Sequence, residues 1–175
     1  MLIAKVHLAL ATACFGVALP LTGLAQSMSV PVSVAQTEQD MTGRWRTPDT
    51  PRFTTSGVDV SVNDLQLAFA PDGTGKANFG LATTAEIPGL DGGFSVQAGF
   101  RWRIGTGGQL VLSQWSGTVR PQRMGFVALL AAEELQRALP GADPIKLRVR
   151  RASSDALDVY QAEIDRTYRL ERIGL

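Results

Sequence analysis

The side chains that most enzymes use near neutral pH are almost missing from this sequence. It holds one histidine and one cysteine, His7 and Cys14, and both fall within the first 25 residues. That segment has Lys5 near its start, an almost unbroken apolar run from Leu8 to Leu24, and the small residues Gly23 and Ala25 just before Gln26. A charged start, apolar middle and small-residue end make a cleavable secretory leader. The mature chain is therefore expected to begin at Gln26, without imidazole or thiol. Serine–histidine and cysteine–histidine catalysis, histidine-ligated zinc and the usual haem sites are excluded on that reading. Leu10-Ala11-Thr12-Ala13 ahead of Cys14 is a poor lipobox, so lipidation at Cys14 is the lesser alternative.

The remaining ionisable groups are badly placed for chemistry. A glycosidase needs two facing acids about 5–10 Å apart. Glu133 and Glu134 are adjacent, and neighbours on a helix do not face each other. Asp155 and Asp158 flank a turn, and Glu163 and Asp165 lie beside Arg166 and Arg169. Lys76 and Lys146 both read as exposed, unlike the desolvated lysine of a serine–lysine dyad. Asp72-Gly73-Thr74-Gly75 and Asp91-Gly92-Gly93 separate strands, whereas a phosphate loop opens a helix. Lys146, Arg148, Arg150 and Arg151 form the densest basic patch, read as a charge ladder against Asp158. With Lys5 removed along with the leader, acids and bases balance, so no overall field favours nucleic acid. No catalytic residue, metal or cofactor is expected.

What must be positioned is therefore an apolar interior. Residues 26–41 are polar and aperiodic and read as a tether. From Thr42 the period is two. Phe94, Val96, Ala98, Phe100, Trp102 and Ile104 alternate with Ser95, Gln97, Gly99, Arg101 and Arg103. A strand sends successive side chains to opposite faces, so this segment has one apolar and one wet face. Val58, Val60 and Val62 behave alike, as do Leu65, Leu67 and Phe69, and Ile145, Leu147 and Val149. One-sided burial marks antiparallel sheet. Turns fall at Pro71–Gly75, Pro88–Gly93 and Gly105–Gly108. A turn over 152–156 sets Val149 opposite Val159 and Arg150 opposite Asp158. One helix is expected near 124–139, with Phe126, Val127, Leu129, Leu130 and Leu135 on its apolar side and a Glu133–Arg137 pair.

Gly43-Arg44-Trp45, at the head of the first strand, resembles the Gly-x-Trp signature of lipocalins and related calycin barrels. The resemblance implies that Trp45 closes one end of the barrel and that an arginine near the chain end packs over it. Arg169 is chosen for that role, with Arg172 as the alternative. The fold expected over residues 42–175 is all-β, a small antiparallel β-barrel with one α-helix. The expected function is non-catalytic binding of a small apolar molecule in the periplasm or outside the cell. Phe94, Phe100 and Trp102 are the wall residues chosen for that ligand, from an aromatic set that also includes Phe79. An envelope protein is the alternative partner, met by loops 86–93 and 116–123. An outer-membrane barrel and an enzyme working on carboxylates or backbone groups are the lesser readings; nucleic-acid binding and stable membrane insertion after cleavage are not expected.

Overall fold

The alternation read at 94–104 is a single strand in the computed structural model, which describes residues 38–55, 58–83, 90, 92–151, 153–162 and 165–174. The expected leader, Cys14 and the expected tether up to residue 37 lie outside the described residues, as do 84–89 and Asp91, which include most of the loop expected at 86–93, and Glu163. Glu38–Met41, the last part of the expected tether, is a helical turn, α1, and Met41 is fully buried.

Nine strands follow: β1 (Gly43–Arg46), β2 (Arg52–Thr55), β3 (Val58–Phe69), β4 (Thr74–Thr83), β5 (Phe94–Ile104), β6 (Gln109–Pro121), β7 (Ile145–Arg151), β8 (Ala156–Gln161) and β9 (Arg166–Arg172). A helix, α2 (Phe126–Ala138), lies between β6 and β7. The sheet runs β1-β9-β8-β7-β6-β5-β4-β3, and β1 also pairs with β3, closing an eight-stranded antiparallel barrel. β2 pairs with β3 alone. Closure removes the free edges an open sheet would present.

Alternation is strict along β5, where Phe94, Val96, Ala98, Phe100 and Trp102 are buried and Ser95, Gln97, Arg101 and Arg103 are exposed. β3 changes phase. Val60 and Val62 point inward, and so do Leu65, Leu67 and Phe69, which sit at odd rather than even spacing from them. A bulge absorbs the extra residue: the β3–β4 register shifts between Asn63 and Gln66, and Asp64 takes a φ of 52°. A second bulge in β6, at Gln114 with φ 53°, shifts the β5–β6 register between Gly99 and Arg101. Such bulges add local twist and bend, which a closed sheet requires.

The β3–β4 hairpin turns where the sequence places it. Asp72 Oδ1 accepts hydrogen bonds from the Thr74 amide at 2.9 Å and its hydroxyl at 2.6 Å. These bonds, the hydroxyl's first, hold the Asp72 carboxyl below its ordinary pKa. The register at the other hairpin is the one read from the pattern, Val149 opposite Val159 and Arg150 opposite Asp158.

The helix differs from expectation in the face it buries. Ala128, Ala131, Ala132 and Leu135 are buried, whereas Phe126, Val127, Leu129 and Leu130 are exposed, Phe126 by 78%. The buried set has the i, i+3, i+4, i+7 spacing of one helical stripe. Three of its four members are alanines, which let the helix axis come close to β6. The Val119 amide on β6 donates to Gln136 Oε1 at 3.2 Å. β6 pairs with β7 only through Gln109–Leu112, so α2 packs against a part of β6 that β7 does not reach.

The seam between β1 and β9 is short, with Trp45 opposite Arg172 and Arg46 opposite Glu171. Side chains reinforce it. The Trp45 indole N–H donates to the Met41 carbonyl at 2.8 Å. The Arg172 guanidinium lies 4.4 Å from the centre of the Trp45 ring and donates to the Thr42 carbonyl at 2.9 Å and the Asp40 carbonyl at 3.0 Å. Gly43 is necessary here: its φ is 129°, and a Cβ would come within 2.6 Å of the Arg172 guanidinium. Arg169, the residue first chosen for this role, is exposed on β9 and stands opposite Asp158. Strand parity is the reason. Leu170 is buried, so Arg172 shares its inward face and Arg169 does not. Arg172→Lys should lower unfolding stability by about 1–2 kcal/mol, through loss of the paired carbonyl bonds and the stacking on Trp45. Arg169→Lys should stay within about 0.5 kcal/mol of the parent; urea denaturation of both variants measures the difference.

Candidate ligand-binding cavity

The up-and-down path places the start of β1, the end of β3 and the end of β5 together at one end of the barrel. Large rings fill that end. Gly75 stands between Phe69 on one side and Phe100 on the other in the strand register. Having no side chain, it leaves the space the Phe100 ring occupies. The Phe69 and Phe100 rings meet edge to face at 5.6 Å, as do Phe69 and Trp102 at 5.3 Å, while Phe100 and Trp115 lie tilted at 4.9 Å. The Trp102 indole N–H donates to the carbonyls of Ala70 at 3.1 Å and Thr74 at 2.9 Å, tying β5 to the β3–β4 turn.

Beyond this plug the smaller inward side chains leave a cavity of about 170 Å³. β3 contributes Val62, Leu65 and Leu67, and β6 contributes Leu110, Leu112 and Trp115. Pro51, Ala77, Phe79, Ala98, Leu139 after α2, Ile145, Leu147, Val159 and Leu170 complete the apolar wall. An apolar cavity of about 150 Å³ takes up benzene, so this volume accommodates a single-ring molecule.

The residues first chosen to touch a ligand lie elsewhere. Phe94, Phe100 and Trp102 are buried but do not line the cavity. Phe100 and Trp102 belong to the plug, and Phe94 sits at the far end of β5, opposite Leu81 and Pro121. Of the four aromatics considered, Phe79 alone is on the wall. The physical reason is volume: inward rings fill the space they face, and a void survives where the inward residues are alanine and branched aliphatics.

The pattern names neither the apolar wall residues Ala77, Leu110, Leu112, Leu139 and Leu170 nor the polar ones. Thr47, Gln161 and Tyr168 line the cavity. Parity carries the signal for each, two residues beyond Trp45, two beyond Val159 and two before Leu170. The Thr47 amide donates to the Leu65 carbonyl at 3.0 Å, continuing the β1–β3 ladder. Its side chain is 8% exposed, and Oγ1 has no hydrogen-bond partner. Burial pushes the Tyr168 phenol above its ordinary pKa, with nearby Arg166 opposing the shift. No charged side chain lines the cavity among the described residues.

Among the described residues, the carboxylates lie outside this space. Arg137 bridges Glu133 at 3.1 Å and also pairs with Glu134, all on the exposed side of α2. Asp165 accepts from the Tyr160 hydroxyl at 3.0 Å. Lys76 is exposed on β4, and Lys146, Arg148 and Arg150 are exposed on β7. Fold and site thus define a closed antiparallel barrel, plugged with aromatics at one end and hollow and apolar further along. No protein-family model matches the chain, and no curated protein matches its sequence.

The Tyr168 shift sets a sign for stability against pH. A phenol whose folded pKa is raised stays neutral in the folded chain while the unfolded chain ionises. Stability should therefore fall as pH rises through 10, the ordinary phenol value, until the folded phenol ionises too. Tyr168→Phe should remove that part of the alkaline loss, measured by urea midpoints across the range.

Proposed function

We propose that the chain is an exported, non-catalytic carrier of a small apolar molecule, built on a barrel of the lipocalin type. The observation that carries this reading is the cavity, about 170 Å³ and walled by aliphatic side chains. Leaving such a void costs packing energy that larger residues would recover, and a ligand that fills it restores those contacts. The Trp45–Arg172 clamp behind Gly43 supports the lipocalin likeness. The leader reading supports export to the periplasm or beyond. The polar outer face of β5 supports a barrel surrounded by water, because a membrane barrel turns its apolar residues outward.

Native mass spectrometry of the chain, purified without detergent and exposed to a lipid extract, should reveal a small extra mass that is lost on denaturation. Ala98→Leu adds branched bulk directly into the cavity and should reduce that uptake at least tenfold with the fold intact. Equal uptake by parent and variant would sink the carrier reading.

A second reading has one observation in its favour. Met124, Phe126, Val127, Leu129 and Leu130 expose large apolar side chains together at the start of α2, and exposed apolar patches mark interaction sites. In that reading the chain is a protein-binding module of the cell envelope. Phe126→Ser would then abolish recovery of a stable partner and leave ligand uptake untouched.

A further inference from the structure

The start of α2 forms an apolar tip at the end of the barrel away from the aromatic plug. β6 begins beside the plug and ends at Pro121, and α2 begins at Phe126. Met124 and Phe126 are 80% and 78% exposed, and Val127, Leu129 and Leu130 are exposed as well. Successive helical residues turn by about 100°, so Val127 and Leu129 stand roughly 160° apart with Phe126 and Leu130 between them. The tip is thus apolar over nearly all of its free surface, and the alanines take the side packed on β6.

That shape separates two kinds of partner. A protein groove that holds a helix reads one stripe, at i, i+3, i+4 and i+7. Here the outward stripe of Phe126 and Leu130 leads on to Glu133 and Arg137, which pair with each other. The apolar part is confined to the first turns and spreads sideways instead of running along the helix. A tip of this form suits a medium that surrounds it, as the headgroup region of a bilayer does.

Charge points the same way. No aspartate or glutamate occurs from Gly92 to Ala132, a stretch that holds Arg101, Arg103, Arg120 and Arg123. All four are exposed. β7 adds the exposed Lys146, Arg148 and Arg150 and carries no acid either. β3 stands across the barrel from β7 and exposes Asp59 and Asp64. A chain with nearly equal numbers of acids and bases is therefore positive on the side that bears the tip. Basic side chains near an anionic bilayer draw the protein to it, and apolar side chains that enter the interface hold it there.

We infer that the tip at the start of α2 docks the barrel on the surface of an anionic lipid bilayer, with Met124, Phe126 and Leu130 entering the headgroup region and Arg120 and Arg123 beside them against lipid phosphates. The contact is peripheral and spans nothing. It does not depend on the carrier reading. Where both hold, the docked end is the one at which Leu139, just after α2, lines the cavity, and an apolar cargo dissolved in the bilayer has a short path to it.

The test is co-sedimentation of the purified chain with vesicles of phosphatidylcholine, alone or mixed with phosphatidylglycerol, at low salt. The parent should bind the anionic vesicles roughly tenfold more tightly than the neutral ones, and added salt should erase the difference. Phe126→Ser should weaken anionic binding about tenfold, through the apolar area it no longer buries. Arg120→Gln should weaken it about fivefold, the worth of one basic residue at such a surface. Lys76→Gln, exposed on β4, should change nothing. All three side chains are exposed, so urea midpoints should match the parent and separate lost binding from lost fold. A parent that binds neither kind of vesicle would overturn the inference and pass the patch to a protein partner. Equal binding by parent and Phe126→Ser would overturn the assignment to the tip. Equal binding to neutral and anionic vesicles would overturn the part given to the arginines. Vesicle binding as expected, without any ligand mass in the native spectra, would support docking and remove the carrier.

Discussion

An antiparallel sheet becomes a barrel only when its two outer strands meet, and here that meeting rests on few backbone bonds. β1 is four residues long and faces β9 through two residue pairs. The seam is extended by the Ile173 amide, which donates to the Arg44 carbonyl at 2.8 Å, by the Arg46–Glu171 ion pair at 3.6 Å, and by the Arg172 guanidinium, which lies over Trp45 and bonds the carbonyls of Thr42 and Asp40. An arginine does this better than a lysine because its planar fork presents several donors in fixed directions while its face stacks on an indole. Without the seam the interior would be a cleft wetted along its length. The cavity, the buried Thr47 and the partial burial of Tyr168 all presuppose it.

The closed interior then divides its space. At one end Phe69, Phe100, Trp102 and Trp115 pack ring against ring, and Trp102 is fixed by two carbonyls. Such a cluster combines large apolar burial with directional ring contacts. Further along, side chains of smaller volume leave room. One strand serves both purposes: β5 gives Phe100 and Trp102 to the plug and Ala98 to the cavity.

Much of the fold was legible because period two is a local property. The whole of β5, the two inward runs of β3, and the Val149–Val159 register could be read from residue type and spacing. The site was less legible, for two physical reasons. Parity says which face a residue takes but not how much room remains there, so it does not separate Phe79, which lines the cavity, from Phe100 and Trp102, whose rings pack against other rings. Polar residues at inward positions interrupt the apolar alternation that marks a strand face, so Arg172, on the face of Leu170, and Thr47, on that of Trp45, are placed by parity alone. The helix misled in another way. Its first turns are apolar on every side, and the largest side chains drew attention away from the alanines that make the contact with β6.

The clamp that joins β1 to β9 has a consequence in time. The hairpins β3–β4 and β5–β6 join neighbours in sequence and can form early, whereas the seam joins residues 40–45 to residue 172. Contacts of such long sequence separation are slow to form, because the loop-closure entropy comes before any compensating contact. For that interval β1 and β9 are each an open strand edge beside an exposed apolar face, the condition under which chains associate with one another. The chain's most hazardous period is thus the stretch before its last strand arrives. Because the clamp joins residue 172 to residues 40 and 42, barrel closure belongs among the late steps.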